Sequence, residues 1–130
     1  MSRVASKNTM AEIRVRRVAH ALGLRFRLHR RDLPGTPDLV FPRHRIALFV
    51  HGCFWHRHPG CRKATTPKSN IQFWQNKFDH NVQRDRAVVL DLKRLGWQPK
   101  VIWECETKNP DVLARLLRKI FQHKARGRQD

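Results

Sequence analysis

Hydrophobic positions mark out the chain before any motif does. Ala11, Val15, Val18, Ala19 and Leu22 recur at helical spacing, with Arg14, Arg16, Arg17 and His20 off that face. Thr9-Met10-Ala11-Glu12 reads as a capping box, the Thr9 hydroxyl and Glu12 carboxylate satisfying orphan amides at the helix start. Gly23 is its natural stop. Strict alternation follows in Leu24-Arg25-Phe26-Arg27-Leu28-His29, the mark of a strand with one buried and one basic face. Leu33-Pro34-Gly35-Thr36-Pro37 is a turn that leads through Asp38 into Leu39-Val40-Phe41. After a basic turn from Pro42 to Arg45, Ile46-Ala47-Leu48-Phe49-Val50 is a continuous apolar run, which suits a strand buried on both faces.

Beyond Cys61, residues 62–70 form a polar, basic connection containing Pro67. A helix is predicted over 71–80, carrying Phe73, Trp74 and Phe78. Asn81 caps a second, longer helix with Val82, Val89, Leu92 and Leu95 as one stripe and Gly96 as its end. Lys100 to Trp103 is a short strand leading to Glu104-Cys105-Glu106. Asn109-Pro110 is a cap followed by proline at the first helical turn, and Leu113, Leu116, Leu117, Ile120 and Phe121 form the buried face of the last helix. The order of helix, three strands, helices, strand and helix fits an α/β fold, a mixed sheet covered by helices on both sides. We see no repeat and no second domain. One domain over 1–130 is expected, with flexible ends at 1–8 and 122–130.

Charge narrows the partners. Among 130 residues, 28 Lys and Arg stand against 10 Asp and Glu, a formal net charge of +18. A domain this basic repels itself unless it meets a polyanion, and each phosphate neutralised releases counterions. No apolar run approaches the roughly 20 residues of a spanning helix, and no signal-peptide pattern opens the chain. The positive charge is also spread along the sequence rather than gathered in a tail. Nucleic acid is therefore preferred to a membrane surface, and a cytoplasmic setting is expected. The 3 cysteines cannot all pair within one chain, which favours thiolate ligands over disulfides.

One stretch concentrates the chemistry: Val50-His51-Gly52-Cys53-Phe54-Trp55-His56-Arg57-His58-Pro59-Gly60-Cys61. With the later Cys105, its cysteines and one histidine supply the four soft ligands of a closed zinc site. Spacing leaves open whether His56 or His58 is the fourth ligand, and the plainer alternative for Cys105, less favoured than zinc, is an ordinary buried cysteine. Asp38 begins one strand and His51 ends the next, so a hairpin brings a carboxylate and an imidazole together, the parts of a metal-assisted hydrolase. Turn chemistry is the plainer role for Asp38, and capping for Glu12. Phe54 and Trp55 are either core aromatics or groups that stack on bases or wedge between them.

Leu33-Pro34-Gly35-Thr36-Pro37-Asp38 and His51-Gly52-Cys53-Phe54-Trp55-His56 resemble the very short patch repair (Vsr) endonucleases. Phe73-Trp74, Asn81 to Arg86, Leu95-Gly96-Trp97 and Trp103-Glu104-Cys105 continue the likeness in order, from Thr9 to Phe121. The resemblance implies a restriction-endonuclease-like fold with a structural zinc held by Cys53, His58, Cys61 and Cys105. It implies a magnesium-dependent nick in double-stranded DNA, 5′ of the thymine in a T:G mismatch left by 5-methylcytosine deamination. Asp38 and the Val50 carbonyl would hold Mg²⁺, with Val50 standing where some members have threonine. His51 and His56 would act at the phosphate, Asp85 would orient His56, and Glu12 would work through a metal-bound water. Phe54 and Trp55 match the aromatics that wedge into the duplex, while Lys77 and Arg84 would grip its backbone. The family's wedging methionine falls on Met1, which leaves most of the N-terminal DNA-contacting segment missing. The likeness also implies a bacterial, nucleoid-associated monomer in contact with mismatch-repair proteins. Two other readings stand beside it: a related nicking nuclease with a different or relaxed target, and a non-catalytic zinc-containing DNA-binding module.

Overall fold

A computed structural model describes residues 9–129 apart from 54, 55, 63 and 66, with backbone only over 123–129. The elements run α1 (Met10–Ala21), β1 (Arg27–Leu28), β2 (Leu39–Phe41), β3 (Ile46–His51), α2 (Ile71–Arg94), β4 (Gln98–Trp103), a 3₁₀ turn (Glu104–Thr107) and α3 (Pro110–Gln129). The strands form one mixed sheet in the order β1-β2-β3-β4, antiparallel except for the parallel β3–β4 pair. That parallel pair is joined through α2, as a parallel crossover requires.

Alternation along β3 explains its unbroken apolar run. Ile46, Leu48 and Val50 pack with Val15 and Ala19 of α1 and with Leu113, Leu117 and Phe121 of α3. Ala47 and Phe49 pack on the other face with Val88 and Leu92 of α2 and with Trp97. A strand sandwiched in this way has no polar face to spare. The predicted α/β class and its two-sided helical cover hold.

Local details depart from the pattern. The alternating stretch 24–29 yields only Arg27–Leu28 as strand. Leu24 is taken up by the end of α1, where its amide bonds to the Ala19 carbonyl at 3.0 Å and Gly23 bonds to His20 at 3.0 Å. His29, at φ 48°, turns out of the strand at the other end. The two helices predicted on either side of Asn81 are one, 24 residues long. No glycine or proline interrupts 71–94, and the propensity cost of an internal asparagine, about 0.7 kcal/mol, is too small to break it. Its N-cap is Asn70. The stripe is also shifted: Leu92 is fully buried and Val88 packs beside it, whereas Leu95 is exposed at the C-cap. The last strand begins earlier than predicted and accommodates Pro99, because β4 is an edge. Asn109 caps α3 as expected, its Oδ1 accepting from the Asp111 amide at 2.9 Å, and the helical backbone continues to Gln129.

The Gly35 turn is built against α2. Its φ is +74°, and a Cβ there would lie 2.6 Å from Cγ1 of Val88. Gly23 has a similar φ of +78° but faces open space. Gly35→Ala should therefore cost about 2–5 kcal/mol, strain and overpacking together, and Gly23→Ala only about 1–2 kcal/mol. Urea denaturation of the two variants checks the difference.

Candidate active site

The C-terminal end of β3 is where both helical layers converge. Asp38 directly precedes β2, and antiparallel pairing of β2 with β3 brings it beside Val50. The Val50 amide donates to its Oδ2 at 2.7 Å. Burial pushes the Asp38 carboxyl up to about 7; the Val50 amide opposes the rise and the nearby Glu12 adds to it. The hairpin expected from the sequence is present as the antiparallel β2–β3 pair.

His51 ends β3 on the α2 side of the sheet. Its ring stacks on His56 with centroids 3.8 Å apart and planes 7° from parallel. His56 Nδ1 lies 2.7 Å from Oδ2 of Asp85, which projects from α2. Burial lowers the His51 pKa to about 4, the neighbouring His56 adds to the fall, and Asp85 partly offsets it. His51 is therefore a neutral ring at physiological pH, while His56 has a carboxylate to fix its tautomer.

Glu12 approaches from the opposite helical layer. Thr9 Oγ1 accepts from the Glu12 amide at 3.2 Å, as the capping box requires. The Glu12 carboxylate, however, turns inward, and the residue is 2% exposed. Oε2 contacts Arg16 one turn along α1 and His29 Nε2 at 2.7 Å, and the carboxylate faces that of Asp38. A carboxylate stripped of water needs such partners, so capping yields to them. Glu12, His29 and Asp38 form one group of ligand atoms lying within 4.8 Å of one another, and His51, His56 and Asp85 form another.

A third group holds Cys53, His58, Cys61 and Cys105, also within 4.8 Å. His58 Nδ1 stands 3.6 Å from the Cys53 sulfur and 3.5 Å from that of Cys105. Burial pushes the Cys105 thiol up to about 12, with the adjacent Cys53 and Cys61 adding to the rise. Trp103 separates this group from the histidine pair: it stacks on His58 at 4.3 Å and meets His51 edge-on at 5.3 Å. The histidine left open by spacing is thus resolved in position, with His58 among the cysteines and His56 on Asp85. The loop that carries both is pinned by Arg57, which lies over the buried Phe78 ring of α2 at 3.9 Å and donates to the Ala64 and Thr65 carbonyls at 2.9 Å.

The two carboxylate–histidine groups, but not the cysteine group, border a cleft of about 1550 Å³ whose walls include Lys77, Arg84, Arg57 and Arg31. Cations thus surround a floor of carboxylates and imidazoles. Met1, Phe54 and Trp55 lie outside the described residues. Sequence reasoning missed His29 and the partition made by Trp103. It also passed over a usable sign: Glu12 and Asp85 each sit three residues before a core valine of their own helix, Val15 and Val88. Charged residues on an apolar stripe mark a site.

Comparison with known proteins supplies the lineage. The family model described as DNA mismatch endonuclease Vsr matches residues 1–63. A relative named type II nicking enzyme V.XorIIP, from Xanthomonas oryzae, is 50% identical over 121 residues, covering 93% of this chain and 88% of its own. The DNA mismatch endonuclease Vsr of Escherichia coli is 37% identical over 113 residues, covering 87% of this chain and 72% of its own. A type II nicking enzyme of Neisseria meningitidis, V.NmeAIP, is 38% identical over 124 residues, covering 92% and 88%. The chain belongs to the Vsr endonuclease family. As a Vsr-type protein it is a DNA endonuclease, a hydrolase of phosphodiester bonds, and the resemblance read in its motifs holds. Among the described residues, no helix is long and apolar enough to cross a membrane.

The Asp38 environment in this Vsr-type site makes a pH prediction. Its folded pKa, about 7, lies above the ordinary 3.8, so the stability it contributes is full below pH 3.8 and lost as pH rises through 7. In magnesium-free buffer, Asp38→Asn should exceed the parent by roughly 2–4 kcal/mol above pH 7, and the gain should vanish below pH 4. His51 has the opposite slope, its contribution falling from pH 6.5 to 4, but it is common to both proteins. Urea titrations at pH 4 and pH 8 test the difference.

Proposed function

We propose that this protein is a magnesium-dependent, zinc-stabilised endonuclease on a restriction-endonuclease-like scaffold. It nicks duplex DNA on the 5′ side of the thymine in T:G mismatches left by deamination of 5-methylcytosine. The observation that carries the reading is the Asp38 carboxylate fixed by the Val50 amide in the same cleft as the His51–His56–Asp85 group.

The donors suit the two ions. Asp38 with the Val50 carbonyl offers hard oxygen for Mg²⁺, and Glu12 stands close enough to act through a water. When bound, magnesium supplies electrostatic stabilisation of the attacked phosphate and lowers the pKa of water there. His56, held by Asp85, would accept the proton of the attacking water while the leaving oxygen takes its proton from solvent, and the His51 ring stacked on His56 stays neutral. Lys77 and Arg84 hold the DNA backbone without reading sequence. Cys53, His58, Cys61 and Cys105 would hold zinc. Sulfur-to-nitrogen separations of 3.5 and 3.6 Å agree with the roughly 3.5 Å edge that tetrahedral Zn–S and Zn–N bonds require. Phe54 and Trp55 would wedge beside the mismatch, where unstacking costs least, with Met1 as a third contact.

Two of the three relatives bear the name nicking enzyme, not mismatch endonuclease. That favours, as a second reading, the same nicking chemistry with a different or relaxed target. Labelled duplexes carrying T:G, T:A or C:G at one position distinguish the two: a nick confined to T:G supports the mismatch reading, and equal cutting supports the alternative. No cutting with any divalent cation, DNA still being bound, would leave only the binding module. Asp38→Ala is expected to slow nicking by at least about 10³-fold, the loss of several kcal/mol of charge stabilisation, with zinc content and melting cooperativity retained. Elemental analysis should find about one zinc per chain, as four-ligand sites hold, and none after Cys61→Ala.

A further inference from the structure

We propose that His29 is a positioning residue of this active site, holding Glu12 and Asp38 in register so that both carboxylates present to one cation. The inference rests on the nuclease reading above and extends it to a residue outside the motifs. His29 grips both acids by different means. Its backbone amide donates to the Asp38 carbonyl at 3.2 Å, and its Nε2 lies 2.7 Å from Oε2 of Glu12.

The local backbone is bent to allow this. His29 has a φ of 48°, the left-handed region that non-glycine residues adopt at a cost. The bend ends β1 and swings the imidazole across to α1. Nε2 is closed to solvent and its contact with Glu12 is off the line of a well-formed hydrogen bond, the kind of apo geometry that tightens when a site fills. Arg16 takes the same Glu12 oxygen, so two partners fix one end of the carboxylate, which lies within 4.8 Å of the Asp38 carboxylate. Residues that orient metal-site acids in this way typically contribute about 10–100-fold to metal affinity or activity.

The test compares His29→Asn with His29→Gln in the full chain as purified. Asparagine tolerates the left-handed backbone and keeps the amide donor to Asp38, but is too short for Glu12; glutamine restores an Nε2 donor at nearly the imidazole's reach. Binding of Mn²⁺ without DNA, followed by electron paramagnetic resonance, should weaken about 10–100-fold in His29→Asn and recover in His29→Gln. The Mg²⁺ concentration giving half-maximal nicking should rise in parallel, with the rate at saturating Mg²⁺ changing far less. Mn²⁺ affinity within twofold of the parent in His29→Asn, or equal losses in both variants, would overturn the proposal. Failure of the parent chain to nick any duplex would instead strike the nuclease reading, since the affinity comparison needs no cleavage.

Discussion

The parallel pairing of β3 with β4 is the constraint on which the working end of this molecule depends. Its register sets His51 beside Trp103, and Trp103 separates two chemistries that differ in every requirement. On one side, soft sulfur and imidazole converge in a closed cluster. On the other, carboxylates and a neutral histidine border an open cleft. A one-residue slip would send His51 and Trp103 to the opposite faces of the sheet and dissolve both groups at once. The buried, two-sided core around β3 makes that slip expensive, so packing far from the site holds its register.

A second tension is electrostatic. The chain carries a formal charge of +18, yet its buried polar interior is acidic, with Glu12 enclosed and Asp38 largely so. Cations repel one another around the cleft, and carboxylates repel one another on its floor. On the proposed reading, a divalent cation and a DNA phosphate would relieve both at the same place.

Legibility in the sequence varied with the range of the interaction. Period and punctuation located α1, α3 and the β2–β3 pair, because the unbroken apolar run of Ile46 to Val50 and the Asn109-Pro110 cap are local signals. They failed over 24–29, where the end of α1 claimed Leu24 and the bend at His29 claimed the other end. Nor did they join the halves of α2, since Asn81 looks like a cap to a local reading. The motif residues Asp38, His51, His56 and Asp85 were nameable through family likeness. Their contacts span up to 29 residues of sequence between His56 and Asp85, beyond the reach of any periodicity argument.

What the sequence by itself determined is the repertoire: a basic α/β domain, four soft ligands, a set of acids and histidines, and the family to which they belong. Family likeness already allotted His58 to the cysteines and His56 to Asp85, and tertiary structure gave those pairings their distances. Tertiary structure alone drew Glu12 away from its cap and brought His29 to both carboxylate residues. Chemical type is a property of single residues and survives in one dimension. Distance and burial arise only when α1 and α2 close on opposite faces of the sheet, and those two quantities turn a carboxyl group into a site.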